Sequence, residues 1–460
     1  MTPHSRSFIF TTSLLLKIFL AHPLHSPAAP PPNSQGPTLP TRLFTNPYLI
    51  SFFVFAALAL RIYLIVLSGD KPEGILGGGS DAPAYILLGH SLYNGHGMSY
   101  VGQPTALRAP LYPLMLAALE SPSVSHYLLI MRLVQFVIAI LTAAVCAKTA
   151  QQLCGNPAKW LAFAIAICTP TLLFFTTQIL TEIFTAFLVS LFLYFLVRYS
   201  ASQRWTPLIG MGICSGLLLL LRFNTLFIPP VAALAAIRLP LSFTTLKRAL
   251  LPLVLSLAIV SPWLIRNFRV FHGDILYSSQ TGTTALQGAL APQGRTQPEG
   301  LEEMKARQGW WLSEIETDQP SRLQFPSEAV LNRQAKVVAV NAWKELGFQA
   351  IPLLAKKISY FWLSTEQLLS TNSFHDTQRK LRAAGVLLYW AILVAAILGW
   401  FRLRKSSPRI AHLLLLYCVL ATLLHLPFTM NTRLRVPLID PALCTLSAIA
   451  LARTSPPPRL

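Results

Sequence analysis

Ten apolar segments decide what this chain can fold into. They fall near residues 47–68, 126–147, 159–178, 181–198, 205–222, 224–239, 248–266, 383–401, 410–428 and 436–452. Most are close to the length at which an α-helix crosses the hydrocarbon core of a bilayer, about 20 residues. Inside that core every backbone N–H and C=O must be paired within the protein, which leaves a helix as the form such segments can take. The expected fold class is therefore an all-α polytopic membrane protein of about 10 transmembrane helices. Only 12% of the residues are charged, against roughly 25% in a soluble domain, too few to cover a water-facing surface. The segment 224–239 is the least regular, being short and holding Pro229-Pro230.

The connections between segments carry a charge code. Alternate ones hold Lys148 and Lys159, Arg198 and Arg204, Arg238, Lys247 and Arg248, then Arg402, Arg404, Lys405 and Arg409, with Arg453 after the last, and no acid among them. By the positive-inside rule these face the cytoplasm. Acidic residues from Asp70 to Asp440 then fall on the outer side, or near the outer end of a segment. The formal net charge of +20 is thus a topology and lipid-contact signal, and nucleic acid is not an expected partner. Residues 1–44 read as a signal-like or disordered, proline-rich extension. Residues 45–266 form an N-terminal membrane module with a first outer loop at 69–125. Residues 267–382 form an extracytoplasmic cap, 383–452 the C-terminal membrane helices, and 453–460 a cytoplasmic tail. Both outer loops are expected to carry interfacial helices. In the cap that helix is "LGFQAIPLLAKKISYFWLST", with Phe348, Ile351, Leu354, Ile358 and Phe361 on one face and Lys356 and Lys357 off it.

The first outer loop opens on "GGGSDAPAYILLGHSLYNGHG". Ser80 or Asp81 can cap a short helix with proline in its first turn, and Asn94-Gly95 can stop it. Tyr85, Leu88 and Leu92 give that helix an apolar stripe, expected to lie along the membrane interface. Asp81 read alone is a cap, but other polar residues gather at the same membrane face: Arg108, Glu182, Arg222, Asn224, Arg266, Asn267, Arg433 and Arg435 stand near the outer ends of different segments. An ionisable residue at membrane depth points to function. A carboxylate can take the proton of a hydroxyl or amine acceptor. Arginines can pair with a phosphate and stabilise the charge that develops as it leaves. Tyr85 and Lys356 complete the candidate substrate contacts.

The ordered set Asp81, "LGHSLYNGHG", "PTALRAPLYPLMLA", "TEIFTAFLVSLFLYFL", "SPWLIRNFRVFHGDILYSSQTG" and "NTRLRVPLIDPAL" resembles the GT-C superfamily of integral-membrane glycosyltransferases. It is similar to bacterial relatives of protein O-mannosyltransferases and of lipid A aminoarabinose transferases. The resemblance implies a polyprenyl-phosphate-linked sugar as donor, an extracytoplasmic acceptor, inversion at the anomeric carbon and a site on the outer face of a bacterial inner membrane. It implies that Asp81 is the first-loop catalytic acid, that Glu182 matches a second acid, and that Arg266, Arg433 and Arg435, with Arg108, hold the lipid phosphate. Protein mannosyltransferases carry two adjacent acids where this chain has Asp81-Ala82, so the class of acceptor stays open.

No cofactor is expected. A divalent metal has no evident ligand cluster, since His90 and His96 lack a third ligand nearby. The six cysteines, none in an outer loop, suggest neither a disulfide framework nor a zinc site. The competing reading is a transporter or flippase of lipid-linked sugars, which would place charges in mid-span and break helices near the membrane centre.

Overall fold

The computed structural model describes residues 46–452, except 73, 75–80, 101, 122, 238–241, 291–327, 366–375, 429 and 431. The expectations for residues 1–44, the tail 453–460, Ser80 and Arg238 fall outside the described residues.

Among the described residues the chain is a bundle of helices with one two-stranded hairpin. Helix α1 (Pro47–Ser68) is followed by α2 (Ala82–Tyr93), the hairpin β1 (Ser99–Tyr100) and β2 (Gln103–Pro104), and α3 (Leu111–Ala118). Then come α4 (Val124–Cys154), α5 (Asn156–Cys168), α6 (Pro170–Thr176), α7 (Glu182–Ser202), α8 (Trp205–Leu221), α9 (Ile228–Ala236) and α10 (Phe243–Val270). The cap contributes α11 (Thr281–Leu290), α12 (Glu328–Leu346) and α13 (Ala350–Leu363), and the chain closes with α14 (Asp376–Ser406), α15 (Pro408–His425) and α16 (Thr432–Leu451).

Among the described residues seven helices are long and apolar enough to cross a membrane. The bent pair α5–α6 makes an eighth, and the shorter Trp205–Leu221 and Phe223–Ala236 account for the other two expected segments. The expected span 159–178 is not continuous: it bends by 54° at Thr169. Pro170 explains the bend, because the residue before a proline is pushed out of helical conformation, and Thr169 is extended at ψ 118°. Pro229 and Pro230 sit in the first turn of α9, where a missing N–H costs nothing, so they start that helix instead of breaking it.

Small residues let the long helices close on one another, as bundles in lipid require. A Cβ added at Gly212 would stand 3.0 Å from Leu255, and one at Gly216 would stand 2.7 Å from Ile259, so α8 and α10 meet along a Gly-x-x-x-Gly face. Gly399 on α14 lies against the backbone of α16, where an added Cβ would fall 1.9 Å from the Leu446 oxygen. Helix α16 is the centre of the bundle. Its span is 83% buried, whereas that of α1, at the periphery, is 11% buried.

Of the two expected amphipathic stripes, one turns inward and the other stays outward except at Phe361. In α2 the stripe of Tyr85 and Leu88 is buried and packs into the protein, with Tyr85 edge-on to Tyr112 at 5.0 Å, so it does not face the membrane interface. In α13 the face buried against the bundle is Leu353, Lys357 and Phe361. Phe348, in the turn before α13, and Ile351 and Ile358 on it are exposed, an arrangement suited to the headgroup–acyl boundary.

Candidate functional site

Asp81 occupies the N-cap position of α2, yet its carboxylate makes no cap hydrogen bond. It turns to two arginines instead. Arg108 donates to Oδ1 through Nη2, and Arg433 donates to Oδ2 through Nη1 at 2.6 Å. The same Arg433 donates through Nε to Oε1 of Glu182, and Arg222 Nη1 stands 3.1 Å from that oxygen. One guanidinium thus bridges the two carboxylates, with a further arginine on either side. Arg108 also donates to Gln280 Oε1 at 2.6 Å and lies 5.3 Å from the Tyr85 ring centre, within cation–π range.

Each of these side chains is delivered by the end of an element. Arg108 precedes α3, Glu182 begins α7, Arg222 caps the end of α8, and Arg433 is the second residue of α16. The backbone before Glu182 is irregular and buried, and α4 holds it. Gln135 donates to the carbonyls of Thr176 at 3.1 Å and Gln178 at 2.7 Å. Arg132 donates to that of Thr177 at 2.8 Å, and the Ile179 N–H donates to the Pro72 carbonyl at 3.1 Å. A buried, non-helical segment at membrane depth must have its polar groups met this way.

Glu182 is fully buried, and its Oε2 has no hydrogen-bond partner among the described residues. Asp81 retains 27% side-chain exposure. Burial raises the Asp81 pKa, but the charges of Arg108 and Arg433, a hydrogen bond from Arg433 and the charge of Arg222 outweigh it. They hold the carboxyl well below the usual carboxylate range. The five charged groups sum to +1, three guanidiniums against two carboxylates, so the site has room for one further negative charge. Among the described residues no three His, Cys, Asp or Glu side chains converge as metal ligands. Both carboxylates at this site are already joined to Arg433.

The other expected site residues lie outside this network. Arg266 donates to the carbonyls of Met98 and Thr105 and to Asn267 Oδ1, each at 2.8 Å, with Trp263 and Phe271 rings beside it. Asn267 is buried and donates to the carbonyls of Leu276 and Tyr277 at 3.2 Å. Arg266 fastens the hairpin loop to α10, and Asn267 fastens the segment that follows the helix. Arg435 is fully buried two residues beyond Arg433. It donates to the carbonyls of Phe361, Trp362 and Ser364, sits 4.0 Å from the Tyr389 ring centre and stands 3.4 Å from Asp440. Lys356 is exposed on α13, and it is Lys357 that turns inward. Asn224 meets His425 at 3.1 Å.

Asp440 corrects the expectation that acids stay near outer ends. It lies eight residues into α16, about 12 Å along the helix. There it is buried and accepts from Thr171 of α6 at 2.6 Å.

Several contacts had no weight in the sequence reading. Arg132 and Gln135 inside "YLLIMRLVQFVIA" are intramembrane polar residues, and that signal was sufficient to mark them. Gln280 stands in "YSSQTG", a polar run at the exit of a span. Glu328, which accepts from Thr105 and from the Ala106 N–H at 3.0 Å, had no local signal.

A family model described as dolichyl-phosphate-mannose-protein mannosyltransferase matches residues 109–265, a third of the chain. No curated protein matches the chain. Among solved structures, the archaeal oligosaccharyltransferase AglB from Archaeoglobus fulgidus, in complex with an inhibitory peptide and a dolichol-phosphate, aligns at a TM-score of 0.50 and 14% identity. The alignment covers 88% of this chain and 50% of AglB, so the chain spans about half the length of that enzyme. ArnT from Cupriavidus metallidurans, bound to undecaprenyl phosphate, aligns at a TM-score of 0.38 and 15% identity, over 88% of this chain and 78% of its own.

Proposed function

We propose that this chain, whose bundle has the GT-C fold of membrane glycosyltransferases, moves a sugar from a polyprenyl-phosphate-linked donor to an acceptor on the extracytoplasmic face. The observation that carries the reading is the bridged pair: two carboxylates laced by three arginines at converging helix ends, with a net charge of +1. A sugar phosphodiester brings one negative charge, which would leave the filled site neutral.

In the reaction a lone pair of the acceptor oxygen or nitrogen forms a bond to the anomeric carbon. The bond from that carbon to the phosphate oxygen breaks, and its electron pair leaves with the polyprenyl phosphate. The acceptor's proton passes to Asp81. The attack and departure lie on opposite faces of the sugar, so configuration inverts. Arg108, Arg222 and Arg433 receive the charge growing on the leaving phosphate, where charge-assisted, preorganised donors are most effective. Asp81 held by two arginines is a weak base. A donor phosphate that competes for Arg108 and Arg433 would raise its basicity as the substrate arrives.

The reading needs no divalent metal, since arginines meet the phosphate. Arg433 stands between the two carboxylates, and no step is assigned to a metal. Arg266 and Asn267 support the loop that carries Arg108, and Arg435 braces α16 behind Arg433. The proposed home is a bacterial inner membrane, with the site on its periplasmic face, as the basic connections indicate.

The transporter reading draws on the bend at Thr169 and on buried Asp440, which are mid-span features. Asp440 and Arg435, however, face each other and are both sealed. The test is purified protein with a polyprenyl-phosphate sugar, an acceptor glycan or lipid and a chelator. Release of polyprenyl phosphate with formation of the inverted glycoside supports transfer. Movement of intact donor across vesicles without cleavage would overturn it.

A further inference from the structure

Lys357 is 5% exposed in the cap, and the chemistry above does not use it. A lysine is seldom buried unless its charge is met. Here Nζ donates to the carbonyls of Gly288 at 2.6 Å, Leu426 at 2.9 Å and Phe428 at 3.1 Å, so each of its three protons has an acceptor. The Trp343 ring centre lies 4.8 Å away. Two of the carbonyls belong to the turn between α15 and α16, and Phe428 stands five residues before Arg433. The third carbonyl belongs to the last turns of α11.

Helix α11 also touches that turn directly. A Cβ added at Gly288 would fall 2.4 Å from the Pro427 oxygen and 2.6 Å from the Phe428 carbonyl carbon, so no side chain fits there. At its other end Gln280, the residue before α11, accepts from Arg108. The helix is in turn fixed to α12, because the Gly282 N–H donates to Asn332 Oδ1 at 2.7 Å. The cap therefore links Arg108 to the turn that precedes α16, with Lys357 fastening that end.

We propose that Lys357 is a positioning residue for Arg433. It acts by clamping the turn at Leu426–Phe428 to α11, so that Arg433 reaches Asp81 and Glu182 in register with Arg108. The inference rests on the donor reading given above. The clamp couples the seating of the cap to the grip on the phosphate, and loosening it should weaken phosphate binding chiefly through Arg433.

The test is a double-mutant cycle in the full-length protein, with polyprenyl phosphate as the probe. Lys357→Met is made in the native and in the Arg433→Lys backgrounds, and equilibrium binding is measured in detergent with the melting temperature alongside. Loss of the charged clamp is expected to weaken binding about tenfold in the native background, the scale of one charge-assisted hydrogen bond. In the Arg433→Lys background the further loss should be less than about twofold, since interactions acting through one residue are non-additive. If Lys357→Met does not fold, Lys357→Gln, which keeps two donors, is read in the same two backgrounds. Equal losses in both backgrounds would mark general loosening and overturn the positioning role, as would unchanged binding. Failure of the unsubstituted protein to bind polyprenyl phosphate would overturn the donor reading and this inference with it.

Discussion

Replacing Arg433 with methionine removes the one side chain shared by both carboxylates. Its side chain is 13% exposed, and Glu182, one of its partners, is fully buried. After the change Glu182 keeps only Arg222, at 3.1 Å, and the site's net charge falls from +1 to zero. Removing one partner of a buried ion pair costs about 3–5 kcal/mol, because the other charge stays behind without compensation. With Arg222 still near, the lower end, about 3 kcal/mol, is expected. Arg108→Met should cost less, about 1 kcal/mol, since Asp81 is partly exposed and keeps Arg433. Thermal unfolding in detergent reads the order directly. Polyprenyl phosphate affinity should fall about 10- to 100-fold in Arg433→Met, the scale of one hydrogen bond to a charged group. An Arg433→Met protein that melts like the native one would refute the bridged-pair account.

Asp81 fixes the acid side of the pH profile. Its folded pKa is depressed, so the stability its ion pairs contribute is complete above the ordinary aspartate value of about 3.9 and is lost as pH falls through the lower folded value. Between pH 5 and 8 the melting temperature should therefore show no step due to Asp81. In kinetics, the acid limb of kcat should lie at higher pH than that of kcat/KM, since a bound phosphate draws arginine charge from Asp81; profiles of both on one preparation decide it. Gly399→Ala should force α14 from α16, because the added carbon meets the Leu446 oxygen, a backbone atom that cannot swing aside. A loss of at least about 1–3 kcal/mol is expected, the usual range for overpacking, and a melt tests it.

The spans were legible in the sequence because lipid imposes a length and a polarity that each segment must meet alone. What escaped depends on neighbours. The break at Thr169 was written in Pro170, but a proline inside a span is compatible with either a kink or a continuous helix until packing decides. The roles of the arginines were less legible still. Arg433 and Arg435 are two residues apart on one helix, and a side chain's direction there turns by about 200° over two positions. One meets the carboxylates and the other the carbonyls of Phe361, Trp362 and Ser364. Lys356 and Lys357 differ in the same way by a single step. Asp81 shows the converse, a residue in a cap position whose side chain is drawn off by arginines 27 and 352 residues away, contacts no local pattern records.

The most direct measurement is Asp81→Asn in purified protein, with sugar transfer from a polyprenyl-phosphate donor and lipid-phosphate binding followed together. The amide keeps the shape of the carboxylate but cannot serve as the base. The account predicts that turnover is lost, with binding retained or tightened because Arg108 and Arg433 are freed for the phosphate. Unchanged turnover would contradict it and leave Asp81 as an anchor for its two arginines.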